Sequence, residues 1–134
     1  MLRVVLDTNI LISALGWKGA SREILEKCIN DKIRLLESND LLEELINVLK
    51  RPKFDFIPPL KKAEFLRYLV EISEIIHPKE NLETIKDDIS DNKVLECAIE
   101  GNADYIISGD EHLLNLKQFK GIKIISAKEF VQVG

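Results

Sequence analysis

The sequence predicts an α/β fold with three layers, in which a central, mostly parallel sheet of about five strands lies between helices. Short apolar runs recur along the chain, and helical patterns of about ten residues separate most of them. Strands that alternate with helices of this length form right-handed βαβ units, whose helices cover both faces of a parallel sheet. The length of 134 residues is that of one domain, so we expect residues 1–134 to form a single unit.

The predicted strands are apolar segments of four or five residues with polar residues at their ends. The second and third of them are separated by two consecutive helices, which breaks the strict alternation. We expect this helical pair to lean over the carboxyl edge of the sheet. The predicted strands are Leu2–Leu6, Ile33–Leu36, Ile72–Ile76, Tyr105–Ser108 and Ile122–Ile125.

The predicted helices carry apolar residues at helical spacing and begin at residues that favour a helix start. In the helix that follows Pro59, we expect Phe65, Leu66, Leu69 and Val70 to face the core. The helices are predicted to begin near Ile10, at Ser21, at Ser38 or Asn39, after Pro58-Pro59, at Asp91 and at Ser126.

Composition and charge exclude several classes of protein. The chain is 46% hydrophobic and 31% charged, and it contains no apolar run near the ~20 residues that span a bilayer. We therefore expect a cytoplasmic protein that does not associate with a membrane. The net charge of −4 argues against a protein that coats nucleic acid by counterion release. The two cysteines and the two histidines form no metal-binding spacing, and we expect His77 and His112 to be solvated loop residues.

The segment Val4–Ile10 is the first candidate functional site. Its apolar run ends at Asp7-Thr8-Asn9, which places Asp7 at the carboxyl end of a buried strand, where open α/β sheets bind their ligands. Aspartate is unfavourable in a strand and costly to bury without a partner. Asp7 is therefore interpreted either as a ligand of a metal or phosphate group, or as the N-cap of the following helix.

Three further carboxylates are predicted to meet Asp7 at the same edge. Asp110 follows the strand at Tyr105–Ser108, Asp91 lies at the start of a helix, and Glu44 borders the apolar stripe of another helix. Each has an ordinary explanation, since Asp91 and Asp110 are plausible N-caps and Glu44 a plausible solvated residue. Four converging carboxylates require cations, and hard divalent ions such as Mg²⁺ or Mn²⁺ suit oxygen ligands. Such a site is suited to phosphodiester hydrolysis.

With four acids at these positions along the chain, the sequence resembles a PIN domain, the nuclease fold of many VapC-type toxins. The resemblance covers nearly the entire chain. It implies that Asp7, Glu44, Asp91 and Asp110 are the catalytic and metal-binding residues, with Thr8, Asn9 and Ser108 in support. Ser108 replaces the family's threonine and keeps its hydroxyl, whereas His112 stands where relatives often carry an aspartate. The matching segments are Val4–Asn9, Leu42–Leu45 with Val48–Pro52, Asp91–Ala98 and Ala103–Asp110.

The resemblance also implies an activity and partners. The expected activity is that of an endoribonuclease that cuts single-stranded RNA with Mg²⁺ or Mn²⁺, as the toxin of a toxin–antitoxin pair. A homodimer and an inhibitory antitoxin protein are the expected partners. Several lysines and arginines lie near the predicted edge loops, and we consider them as candidates for binding phosphate groups of the RNA. For each of them, an ordinary solvated surface charge is the more common explanation. They are Lys18, Arg22, Arg51, Lys53 and Lys93.

Two other functions remain open at the level of sequence. A phosphotransferase of the haloacid dehalogenase type also begins with an aspartate after its first strand, but it requires a second aspartate two residues later. Asn9 stands at that position. The other alternative is a catalytically silent PIN-like module that binds nucleic acid or protein, against which the complete set of four acids argues.

Overall fold

The predicted α/β fold is confirmed. The computed structural model describes residues 1–79 and 89–133, and these form one six-stranded sheet between layers of helices. The strands are β1 (Arg3–Leu6), β2 (Arg34–Ser38), β3 (Glu74–Ile76), β4 (Tyr105–Ile107), β5 (Gln118–Phe119) and β6 (Ile122–Ile125). The helices are α1 (Thr8–Gly16), α2 (Ala20–Ile29), α3 (Asn39–Leu49), α4 (Pro59–Ile72), α5 (Ile89–Glu100), α6 (Glu111–Leu114) and α7 (Ala127–Val133), with a 3₁₀ turn at Pro52–Phe54.

The order of strands in the sheet places β1 at its centre. The order is β3-β2-β1-β4-β6-β5, and all neighbouring pairs are parallel except β5 and β6. The chain thus builds the sheet outward from β1 on one side and later returns to place β4 on the other. Beyond the carboxyl ends of β1 and β4 lies the point where the strand order reverses, and this is where open α/β sheets bind ligands.

The register between β1 and β4 brings the ends of both strands together. Val5 pairs with Ile106 and Leu6 with Ile107. The backbone N–H of Asp7 continues the pairing by donating to the carbonyl of Ile107 at 3.1 Å. The residues that follow the two strands are therefore neighbours, although about a hundred positions separate them in sequence.

Alternate residues of the strands supply a core on each face of the sheet. Val4 and Leu6 face a cluster formed with α1, α2, α3 and α7, whereas Val5 and Ile106 face a cluster formed mainly with α5. Both cysteines belong to these cores, where burial raises the pKa of each thiol to about 12. Among the described residues, no helix combines the length and the apolar character that a membrane span requires.

The sheet has one strand more than the sequence indicated. β5 contains only two residues and pairs with β6 through a tight turn at Lys120-Gly121, where both residues adopt positive φ angles of 49° and 85°. Such a turn matches the twist of a hairpin. Because a two-residue strand has no recognisable alternation of apolar and polar residues, pattern analysis does not detect it.

The helix α4 also differs from expectation. Val70 is 49% exposed rather than buried, and Leu69 is the residue of this helix that is fully enclosed. Ile72 ends the helix instead of beginning a strand, so that β3 starts only at Glu74. An apolar stripe shows which face of a helix packs on the core. It does not show how many residues of that face are buried, because this number depends on how closely the helix packs against the core. α4 lies at the margin of the core and buries a narrow face.

A carboxyl group is enclosed within β2. The Glu37 side chain is fully buried, and neither of its oxygens has a hydrogen-bond partner in the part of the chain that the structure describes. Burial raises the pKa of this carboxyl from its ordinary value of 4.5 to about 8. Because the folded state favours the protonated form, the native chain retains this proton at pH values where the unfolded chain has lost it.

We predict that this group makes the protein less stable as the pH rises from about 4.5 to about 8. Below this range both states carry the proton, and above it both have lost it, so the contribution changes only between the two values. Glu37→Gln should remove this component, and the difference in unfolding free energy between variant and wild type should increase by several kcal/mol across the range. Urea unfolding at pH 5 and pH 9 measures it. The exposed Glu64→Gln serves as control, and equal pH dependence in all three proteins would contradict the prediction.

Candidate active site

A cavity of about 150 Å³ opens at the carboxyl edge of the sheet, beside the ends of β1 and β4. Four elements contribute a carboxylate to it. The residues that line it are Asp7, Thr8, Asn9, Glu44, Val48, Arg51, Asp91, Val94 and Asp110. The structure thus brings together the four acids that were predicted to converge, along with Thr8 and Asn9.

Asp7 combines the two roles that the sequence left as alternatives. Its Oδ1 accepts the backbone N–H of Asn9 at 2.8 Å, which makes Asp7 the N-cap of α1. Its Oδ2 accepts a hydrogen bond from the Ser108 hydroxyl. The side chain is only 6% exposed, so these two bonds fix its orientation toward the cavity. Being a cap therefore does not remove Asp7 from the site but holds it there.

Ser108 connects the two strand ends. Its hydroxyl donates to Asp7 and accepts the backbone N–H of Asp110 at 2.9 Å, and the side chain is fully buried. Asp110 in turn is the N-cap of α6, since its Oδ1 accepts the backbone N–H of His112 at 2.8 Å. One buried hydroxyl thereby sets the positions of two acids that come from different strands.

Glu44 reaches the site from α3. Its Oε2 accepts a hydrogen bond of 2.6 Å from the Thr8 hydroxyl, directly beside Asp7. Val48, one turn further along the helix, is buried and also lines the cavity. Glu44 lies at the border between the buried stripe and the exposed face of α3, as its spacing suggested. Thr8 therefore orients Glu44, in the same way that Ser108 orients Asp7.

Asp91 and His112 complete the cluster. Asp91 is 5% exposed and lies in the first turn of α5, which begins at Ile89 and so two residues earlier than predicted. A negative charge is favoured there by the helix dipole. The Nδ1 atom of His112 lies 3.7 Å from a carboxylate oxygen of Asp91 and 3.7 Å from one of Asp110. From the sequence, His112 is expected to be a solvated loop residue; its side chain is indeed 59% exposed, but it lies in the single turn of α6, beside the two acids.

The electrostatics of the site favour a bound cation. Burial raises the pKa of the Asp7 carboxyl above its ordinary value, and hydrogen bonds from Ser108 and Asn9 lower it in part. The negative charges of Asp110 and Glu44 raise it further. Carboxylate oxygens are the ligands that Mg²⁺ and Mn²⁺ prefer, so this donor set fits a divalent metal ion. Among the described residues, ligand atoms of Asp91, Asp110 and His112 all lie within 4.8 Å of one another.

The cations that were considered for phosphate binding lie in different environments. Arg51 lines the cavity. Lys93 is 3.3 Å from Glu96 and 3.6 Å from Asp40, and it lines a second cavity together with Glu44 and Arg51. Arg22 donates to the carbonyls of Ala14 and Leu15 at the end of α1, and Lys18 and Lys53 are exposed. Arg51 is therefore the member of this set whose position beside the carboxylates is most direct.

Comparison with solved structures shows the same architecture in two other proteins. A chain of VapBC2 from Rickettsia felis, in a crystal structure with a DNA fragment from the promoter, matches with a TM-score of 0.63 at 19% identity, over 92% of this chain and 97% of that one. PAE2754 from Pyrobaculum aerophilum matches with a TM-score of 0.65 at 14% identity, over 98% of this chain and 89% of that one. No curated protein matches the sequence.

The fold and the acidic cavity define an α/β protein with a candidate metal site at the switch point of its sheet. The model of the PIN domain family matches residues 3–112. The chain therefore belongs to the PIN domain family, whose members are generally nucleases, and the resemblance seen in the sequence is confirmed.

We predict that Asp7→Asn does not destabilise the metal-free protein, because several carboxylates that repel one another are crowded in this cavity. The amide oxygen can keep the cap, its NH2 group can donate to the Ser108 hydroxyl instead of accepting from it, and a buried charge is removed. The free energy of unfolding should therefore be unchanged or about 1 kcal/mol higher. Urea unfolding in EDTA measures this. With Mn²⁺ added, the wild type should be stabilised because the ion binds the folded state, and the variant should respond much less. A variant that is less stable in EDTA, yet equally responsive to Mn²⁺, would contradict this account.

Proposed function

We propose that this PIN domain is a metal-dependent endoribonuclease that cuts single-stranded RNA. The observation that carries the proposal is the convergence of Asp7, Glu44, Asp91 and Asp110 on one cavity. These residues come from four separate elements of the fold, so their meeting is not a consequence of local sequence. Family membership supports the nuclease class, and the choice of RNA as substrate rests on the resemblance to VapC-type toxins.

The residues of the site have distinct roles in this proposal. Asp7, Glu44, Asp91 and Asp110 would hold the metal, with Glu44 reaching it from α3. When bound, Mg²⁺ or Mn²⁺ lowers the pKa of the attacking water and stabilises the charge on the leaving oxygen. Arg51, at the wall of the same cavity, binds a phosphate of the RNA backbone and so positions the strand.

An aromatic pair supports single-stranded RNA as the substrate. Trp17 and Phe56 are 52% and 61% exposed, and their rings contact each other edge to face with centroids 5.8 Å apart. Exposed Lys18 and Lys53 are their near neighbours in sequence. Unpaired bases stack on exposed aromatic rings, while lysines bind the adjoining phosphates. Bases in a duplex are already stacked, so this surface favours a single strand.

Toxin activity, an antitoxin partner and homodimer formation belong to the same proposal. The similarity to a chain of VapBC2 supports an antitoxin as partner. An apolar groove of about 230 Å³ between α1, α2 and α4 offers a surface for a protein segment. Apolar side chains that line it are Leu15, Leu25, Ile29, Phe65, Tyr68, Leu69 and Ile72.

Two adjacent glutamates allow a matched test of the active site. Glu44→Gln should reduce the cleavage of a labelled single-stranded RNA in Mg²⁺ or Mn²⁺ by about 100-fold or more, because it removes a carboxylate from the cavity. Glu43→Gln, one residue away on the exposed face of α3, should retain wild-type activity. EDTA should abolish cleavage by the wild type. Absence of cleavage by the wild type on diverse RNAs would instead favour a silent binding module, and equal loss in both variants would contradict the assignment of Glu44.

The role of Arg51 has its own test. Arg51→Ala should raise the KM for RNA several-fold with a smaller change in kcat, since a contact with a backbone phosphate that positions the strand contributes mainly to binding. The KM of the wild type should rise more steeply with salt than that of the variant. Lys120→Ala, an exposed lysine in the β5–β6 turn, is the control. An unchanged KM in Arg51→Ala would show that this side chain does not bind the substrate.

A further inference from the structure

His112 adds a nitrogen donor to an otherwise acidic site. The backbone N–H of this residue donates to the Asp110 carboxylate, which caps α6 and holds His112 in the first turn of this helix. Its Nδ1 atom stands 3.7 Å from Asp91 Oδ2 and 3.7 Å from Asp110 Oδ1. Two helices and a strand end therefore bring an imidazole and two carboxylates to one point.

We propose that His112 is a direct ligand of the metal ion that Asp91 and Asp110 hold, and that it shifts the preference of the site from Mg²⁺ toward Mn²⁺. This inference rests on the proposed function and specifies the metal chemistry of that site. Mg²⁺ strongly prefers oxygen ligands, whereas imidazole nitrogen is a good ligand for transition-metal ions. A site with one imidazole therefore discriminates between the two ions more than a site built from carboxylates alone.

The distances among the three side chains suit a shared ion. Ligand atoms that lie about 2.1 Å from one ion are about 3.0 to 3.4 Å from each other in octahedral or tetrahedral geometry. The two separations between the imidazole and the carboxylates, 3.7 Å each, exceed this by a few tenths of an ångström, and all three ligand atoms lie within 4.8 Å of one another. The Asp91 side chain is 7% exposed and firmly placed, while that of His112 is 59% exposed and lies at the rim. The exposed imidazole can therefore adjust its position toward an ion while Asp91 stays in place.

The same positions of the three side chains fit another explanation, in which His112 contacts the two carboxylates but does not bind the metal ion. An imidazole lying between two carboxylates can hold them in place through polar contacts without touching a metal. Both explanations place His112 near Asp91 and Asp110, so a loss of activity on substitution does not separate them. The identity of the atoms bound to the ion does separate them, because only a ligand transfers unpaired electron density from Mn²⁺ to its nitrogen.

The chain contains two histidines, which provides a matched control. We suggest pulsed electron paramagnetic resonance of the tag-free protein with bound Mn²⁺, recording the modulation caused by ¹⁴N. The wild type and His77→Gln should show imidazole nitrogen coupled to Mn²⁺, since His77 is exposed and follows β3, outside the acidic cavity. His112→Asp should bind Mn²⁺ through oxygen only and show no such coupling. By competition binding, its preference for Mn²⁺ over Mg²⁺ should be about tenfold lower than that of the wild type.

The outcomes separate failure of this inference from failure of the proposed function. Bound Mn²⁺ without nitrogen coupling in the wild type, together with RNA cleavage, would overturn the role of His112 and leave the nuclease intact. Coupling that persists in His112→Asp would also overturn it, because the nitrogen would then belong to another group. If the wild type binds no Mn²⁺ and cuts no RNA, both proposals fail.

Discussion

The pairing of β1 with β4 positions the acids of the site. The backbone N–H of Asp7 donates to Ile107 and the hydroxyl of Ser108 donates to its carboxylate, so two segments 101 residues apart share one hydrogen-bonded unit. Asp110 is attached to the same serine through its backbone N–H. A shift of one residue in the register of this pair would turn alternate side chains to the opposite face and separate the carboxylates. The core on both faces of the sheet fixes that register.

Burying several carboxylates opposes folding, and the structure offsets this locally. Asp7 and Asp110 each cap a helix, and the hydroxyls of Ser108 and Thr8 donate to Asp7 and Glu44. These bonds orient the acids but do not cancel their mutual repulsion, which still raises the pKa of Asp7. The helix caps and the carboxylates therefore serve the fold and the proposed chemistry together, and in that proposal a divalent ion would balance the remaining negative charge.

Much of this arrangement is predictable from sequence, because its parts follow from strand ends and helical spacing. Asp7 and Asp110 each follow a short apolar run, and Glu44 borders the apolar stripe of a helix, so a parallel sheet predicts that they meet. The position of His112 was not predictable, since it depends on a helix of a single turn. The burial of Glu37 was not predictable for another reason. The structure encloses this side chain completely, but nothing in the sequence distinguishes it from an exposed glutamate at the end of a strand. The position of His112 and the burial of Glu37 depend on how the elements pack together, which the periodicity of the sequence does not reveal.

The proposed chemistry requires a divalent metal ion at the edge of the sheet between β1 and β4. The most direct measurement is an anomalous difference map from crystals of the protein containing Mn²⁺. A peak is expected inside the cavity, within about 2.0–2.6 Å of carboxylate oxygens of Asp91 and Asp110 and close to Asp7. An empty cavity at saturating Mn²⁺, or a peak bound only to residues elsewhere on the surface, would contradict it.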